Sequence, residues 1–214
     1  MNPKRCRRTP IRIGTFLAII SVFVISSCAS SPPIGKTGIS TKVTIQAGDT
    51  VTSIESMLAP ITPETKNELV QNSDAVIIGK VVEILPSKQG TDVSGHEVIY
   101  TDVLVDVDRY LLGAGSSQIA IRVLGGRVNG TAMIVEDEPI FYLDEEFVGF
   151  LFNQVPYFKE KPTPSQGINL SDYYAVVRSS LGKWPLENGK SIDYSNKHLS
   201  ISSIEKLIAE NKAH

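Results

Sequence analysis

Ile99-Tyr100-Thr101-Asp102-Val103-Leu104-Val105-Asp106-Val107 is the stretch that decides the fold class of this chain. Ile99, Thr101, Val103, Val105 and Val107 fall on one side of an extended backbone, and Tyr100, Asp102, Leu104 and Asp106 on the other. Successive side chains of a strand point to opposite faces, so this period of two predicts a strand with one face buried and one in solvent. Asp102 and Asp106 then belong to the wet face.

The pattern continues on both sides. Ile119, Ile121 and Val123 alternate with Ala120 and Arg122 until Gly125-Gly126 interrupts the run. Residues 75–84 and 147–152 are almost continuously apolar, as expected of strands covered on both faces. Weaker strand signals lie at 131–135, 173–178 and 182–186. Ser94-Gly95, Gly113-Ala114-Gly115, Asn129-Gly130 and Asn188-Gly189 supply the turn chemistry between them.

Helices are expected only at the edges. Thr62-Pro63-Glu64 offers an N-cap, a proline at the first helical position and an early acid, predicting a helix that runs to about Gln71. Near the end, Ser202 and Glu205 have capping-box spacing, and Ile201, Ile204, Leu207 and Ile208 recur at helical intervals. The fold class is therefore mainly β: a small curled, mostly antiparallel sheet with a short helix before it and a C-terminal helix. Residues 43–214 suffice for one β-rich domain with its own core.

Several separated elements occur in a recognisable order. Ser73-Asp74, Ile78-Gly79-Lys80-Val81, Tyr100-Thr101, Gly125-Gly126 with Asn129-Gly130, Pro139, Phe141, Glu145-Glu146 and Gly182-Lys183-Trp184 together resemble a family of uncharacterised bacterial exported proteins and lipoproteins. The resemblance spans about residues 70–210 and implies a small OB-like or netrin-like barrel, an architecture shared with some protease inhibitors. Fold alone carries no activity over. Asp144 stands where that pattern has a Gly-Glu turn.

The N-terminus has a different character. Lys4, Arg5, Arg7, Arg8 and Arg12 precede an apolar run from Ile13 to Ile25, which is shorter than the ~20 residues that span a bilayer. Residues 1–27 thus read as a signal peptide. Ile25-Ser26-Ser27-Cys28 resembles the bacterial lipobox, which implies that Cys28 is diacylated with palmitate-type chains and, after cleavage, becomes the N-terminal residue. Residues 28–42, rich in Ser, Pro, Gly and Thr, then form a flexible tether. Cys6 is the only other cysteine and lies in the removed segment, so the mature chain holds no internal disulfide.

Charge narrows the partners. Removing five basic residues with the signal leaves 16 Lys+Arg against 23 Asp+Glu. Nucleic-acid binders present a basic face, and no cluster of Lys or Arg follows Cys28, so nucleic acid is excluded as a partner. The membrane is reached through lipid, and an envelope protein or a glycan is the remaining partner class.

Motifs that carry chemistry are few. The chain has no nucleophile elbow, zinc-protease, thiol-redox or phosphate-loop signature. His96, His198 and His214 are far apart in sequence, and the acidic runs Glu136-Asp137-Glu138 and Asp144-Glu145-Glu146 lack the spacing of a calcium loop. Asp102 with Asp106 could be read as a glycosidase carboxylate pair, against the plainer reading of a solvent face. No metal, cofactor or catalytic residue is assigned.

The binding candidates are Gly125, Gly126, Asn129 and Gly130, where a partner's backbone could approach closely; the competing reading is hairpin geometry alone. Tyr157-Phe158 is a possible aromatic contact, and Trp184 reads as a core residue. Val43 to Ile54 is similar to the opening of a LysM peptidoglycan-binding module but lacks its closing half. The expectation is a lipid-anchored, non-enzymatic binding or structural module of the cell envelope. The alternatives are an envelope enzyme or inhibitor with a loop-assembled site, and peptidoglycan binding through residues 43–54.

Overall fold

The structure is a computed structural model that describes residues 39–55, 61–92, 94–154, 168 and 172–212. The expected signal peptide, residues 1–27, and Cys28, Tyr157, Phe158 and His214 lie outside the described residues.

Among the described residues twelve strands and two α-helices follow in order, with a 3-10 turn at Ser179–Gly182: β1 (Thr50–Ile54), α1 (Thr65–Gln71), β2 (Ala75–Ile84), β3 (Lys88–Thr91), β4 (Glu97–Leu112), β5 (Gln118–Leu124), β6 (Gly126–Val128), β7 (Thr131–Val135), β8 (Glu146–Asn153), β9 (Tyr173–Val176), β10 (Lys183–Glu187), β11 (Lys190–Ile192), β12 (His198–Ser200) and α2 (Ile201–Lys212). Five strands close a barrel in the order β8-β2-β4-β5-β9, with β9 returning to β8. All contacts in that ring are antiparallel except β5 with β9, where Ala120 faces Tyr173 and Ile121 faces Tyr174 in parallel. The strand pattern predicts a curled, mainly antiparallel sheet, and the structure closes that sheet into a five-stranded barrel.

Alternation explains both cores. Ile77, Val81, Val103, Val105, Ile119, Ile121, Phe147 and Leu151 point into the barrel. Their neighbours Val76, Ile78, Val148 and Phe150 point outward and pack with Trp184, Leu69 and Val70 of α1, and Ile204 and Ile208 of α2. Residues 75–84 and 147–152 read as continuous apolar runs because barrel and helices cover both faces of β2 and β8. A third cluster, Leu85, Leu104, Ala120, Ile168 and Tyr173, covers the outside of β4 and β5.

That third cluster corrects the reading of Asp102. It lies on the predicted outer face but is only 2% exposed, because Arg122 is its register partner on β5. The guanidinium grips the carboxylate with two bonds, Nε to Oδ1 at 2.6 Å and Nη2 to Oδ2 at 2.8 Å. Tyr100 stacks on the guanidinium with its ring centre 3.7 Å from Cζ. Asp106 stays in solvent, accepting a bond from Gln118.

The helix starts also differ from expectation. Helix α1 begins at Thr65, whose hydroxyl accepts the Thr62 N–H, so residues 62–64 form a turn in front of the helix. Helix α2 is capped by Ser200, whose Oγ accepts the Ser203 N–H, two residues before the expected Ser202 cap. Glu205, freed from a capping role, pairs with Arg109 of β4.

An ion pair between half-buried Lys66 and buried Asp193 joins α1 to the β11–β12 turn. Lys66 Nζ lies 2.5 Å from Asp193 Oδ2, while Asp193 Oδ1 accepts the N–H groups of Ser195 and Lys197 and the Ser195 hydroxyl. Burial pushes this carboxyl up, but the Lys66 ammonium and the bonds from Lys197 and Ser195 outweigh it and bring Asp193 down to about 2. A depressed carboxyl stabilises the fold above its unfolded pKa and loses that contribution as pH falls through the folded value. Asp193→Asn is therefore expected to cost about 2 kcal/mol at pH 7 and roughly half as much at pH 3, measured by urea unfolding at each pH. An equal cost at both pH values would contradict this linkage.

Candidate binding groove

At one end of the barrel the chain builds a groove from four short pieces. The end of β5 contributes Val123 and Leu124, the end of β7 contributes Ile134 and Val135, the following turn contributes Glu136 and Glu138 to Ile140, and residues 41–43 form the fourth side. The space between them is about 260 Å³. Leu124 and Ile140 are 37% and 39% exposed.

Two sets of bonds hold the walls. Thr41 donates its N–H to the Phe141 carbonyl at 3.0 Å, the Phe141 N–H returns a bond to Thr41 Oγ1, and the Leu143 N–H reaches the Ile39 carbonyl. Behind this pairing Lys183 Nζ donates to the Ile140 carbonyl at 2.7 Å and lies 2.8 Å from Glu145 Oε2, both side chains being almost wholly buried. The same ammonium sits 5.0 Å from the centre of the Phe141 ring, and Glu145 accepts the Tyr142 N–H. Pro139, Phe141, Glu145 and Lys183, scattered in the sequence, thus converge on one wall. Asp144 takes a left-handed conformation, with φ 63°, where the resembled pattern has glycine; an aspartate tolerates that region, and its carboxylate pairs with Lys80 at 2.9 Å.

Glu138 is the group with chemical character in this groove. Its half-buried carboxyl stands among apolar side chains, and burial pushes it up to about 7, opposed only by a backbone bond from Leu124. Among the described residues no cation lies within ion-pair distance of it. Lys42, the basic residue of the lining, is exposed and makes no ion pair with Glu138. In the same turn, Asp137 Oδ2 is buried without a hydrogen-bond partner.

The glycine candidates divide into two kinds. Gly125 and Gly126, with φ 103° and 140°, swing the chain from β5 into β6 next to the groove. A Cβ on Gly126 would lie 2.2 Å from Ser87 Oγ, so this glycine is spent on packing against Ser87 and Thr101. Asn129 and Gly130, at φ 49° and 79°, form the two-residue turn between β6 and β7, with open space around Gly130. They lie on one small sheet but do not form a pocket.

The remaining candidates stay apart. His96 is exposed at the β3–β4 turn beside Asp92, and His198 is exposed on β12. Among the described residues no three His, Cys, Asp or Glu side chains are grouped so as to hold a metal ion. Trp184 is a core residue, lying against Phe150 and donating its Nε1–H to the Leu181 carbonyl. In the LysM-like stretch Asp49 is gripped by Arg127 with two bonds of 2.8 Å, and β1 follows as an exposed strand running parallel to β7.

Glu138 and Ile140 escape notice in the sequence. Glu136-Asp137-Glu138 reads as a solvated acidic turn, and only the folded position of residues 41–43 converts its third member into a groove residue. The one available signal is Pro139-Ile140, an apolar pair directly after the acids. No protein-family model matches the chain, and a search of curated proteins finds no match.

Proposed function

We propose that this chain is an exported, lipid-anchored binding module of the cell envelope, held to the membrane through Cys28 and engaging its ligand in the groove at the barrel end. The carrying observation is the half-buried Glu138 carboxyl, left without a cation among exposed apolar side chains. A structural role alone gives no return for burying an unpaired acid, since such burial costs stability. A ligand that completes the acid's interactions gives it a purpose. The anchoring half of the reading rests on the basic n-region, the short apolar run and Ile25-Ser26-Ser27-Cys28.

Filling the groove tests the reading. Leu124→Trp adds bulk at an exposed position on the groove wall and leaves the barrel interior untouched. In a strain lacking the gene, the parent and a Lys206→Ala control should reverse the envelope defect, and Leu124→Trp should restore less than a tenth of it at equal membrane abundance. Full complementation by the filled variant would remove the groove from the function.

A further inference from the structure

We propose that the groove takes a small aliphatic amine, its ammonium paired with the Glu138 carboxylate and its hydrocarbon chain lying against Leu124, Ile134 and Ile140. This deepens the binding-module reading and rests on it.

Three features point to that chemistry. The first is size: about 260 Å³ falls just below the ~300–1,000 Å³ of sites for drug-sized molecules, which suits a short chain and not a folded partner. The second is the surface, where apolar side chains of β5, β7 and the residue 138–140 turn supply an alkyl-compatible wall. The third is charge. Glu138 and Glu136 line the groove against the single Lys42, and Asp137 adds a buried, unbonded carboxylate oxygen in the same turn. An anion entering here meets like charge, and a neutral chain leaves Glu138 without a cation. An alkylammonium supplies both the missing cation and the apolar contact, and a buried acid with an opposite charge beside it returns to its ionised form.

The groups facing the ammonium site are Glu138 and Glu136 from the turn and Lys42 from the opposing segment. Glu138, raised to about 7 in the free protein, must be ionised to bind the amine, so affinity falls as pH drops from 8 to 5.

Calorimetric titration of the full-length mature protein in detergent provides the test, with hexylamine, hexanol and hexanoate as probes. The expected result at pH 8 is saturable one-to-one binding of hexylamine, at least tenfold weaker binding of hexanol and none of hexanoate. Glu138→Gln should bring the amine down to the level of the alcohol, and Leu124→Trp should weaken both, with circular dichroism confirming that each variant is folded. Hexanol binding as tightly as hexylamine, or amine affinity unchanged in Glu138→Gln, would overturn the amine assignment and leave the binding module standing. Absence of saturable binding by all three probes would overturn it too. Complementation by Leu124→Trp is the separate result that removes the module reading itself.

Discussion

Arg122→Met is expected to destabilise the domain by about 3–5 kcal/mol, because it strands the Asp102 carboxylate inside the protein. Asp102 is 2% and Arg122 6% exposed, and they share two short bonds between β4 and β5. Removing the guanidinium leaves an acid with no water to replace it. Since domains of this size are stable by roughly 5–15 kcal/mol, that loss is a large share of the total. The double variant Asp102→Leu/Arg122→Met removes both charges and fills similar volume, so it should recover most of the stability. Urea denaturation of the parent, the single and the double variants reads this directly. A single variant within about 1 kcal/mol of the parent would mean that the pair is effectively solvated.

The same pair marks the boundary of what the sequence makes legible. Period-two alternation reports which side of β4 faces the barrel, and Val103 and Val105 do face it. It does not report what covers the other side. Asp102 reads as wet because an acid on an alternating strand usually is; Arg122 opposite it in register, and Leu104, Ala120 and Tyr173 alongside, change its environment. Strands β2 and β8 are legible because both of their faces are apolar. Strand β3, Lys88-Gln89-Gly90-Thr91, is not, since its polar residues gain strand form only by pairing with the start of β4. Barrel closure is similarly hidden: it depends on β9 reaching both β5 and β8, and no local pattern encodes that contact.

The candidate groove follows the same division. Asn129-Gly130 is visible as a turn because its backbone demands positive φ, which is a local property. Glu138 is visible only as an acid. Its upward shift comes from burial in a groove lined by parts of the chain far apart in sequence. Lys183 and Glu145, quoted as part of the resembled pattern, turn out to brace that wall.

The largest expected effect is all-or-none and concerns anchoring. If Cys28 carries lipid, the domain is confined to the membrane. More than one acyl chain is needed for stable attachment, which the lipobox modification supplies. Cys28→Ala should abolish fatty-acid incorporation, block cleavage between Ser27 and Cys28, and leave the precursor with its five basic N-terminal residues. The most direct measurement is mass spectrometry of the N-terminal peptide from the membrane-extracted protein. The account predicts a chain that begins at Cys28 and carries a diacylglyceryl group with an amide-linked acyl chain. An unmodified N-terminus at Met1, or at a residue after Cys28, would contradict it.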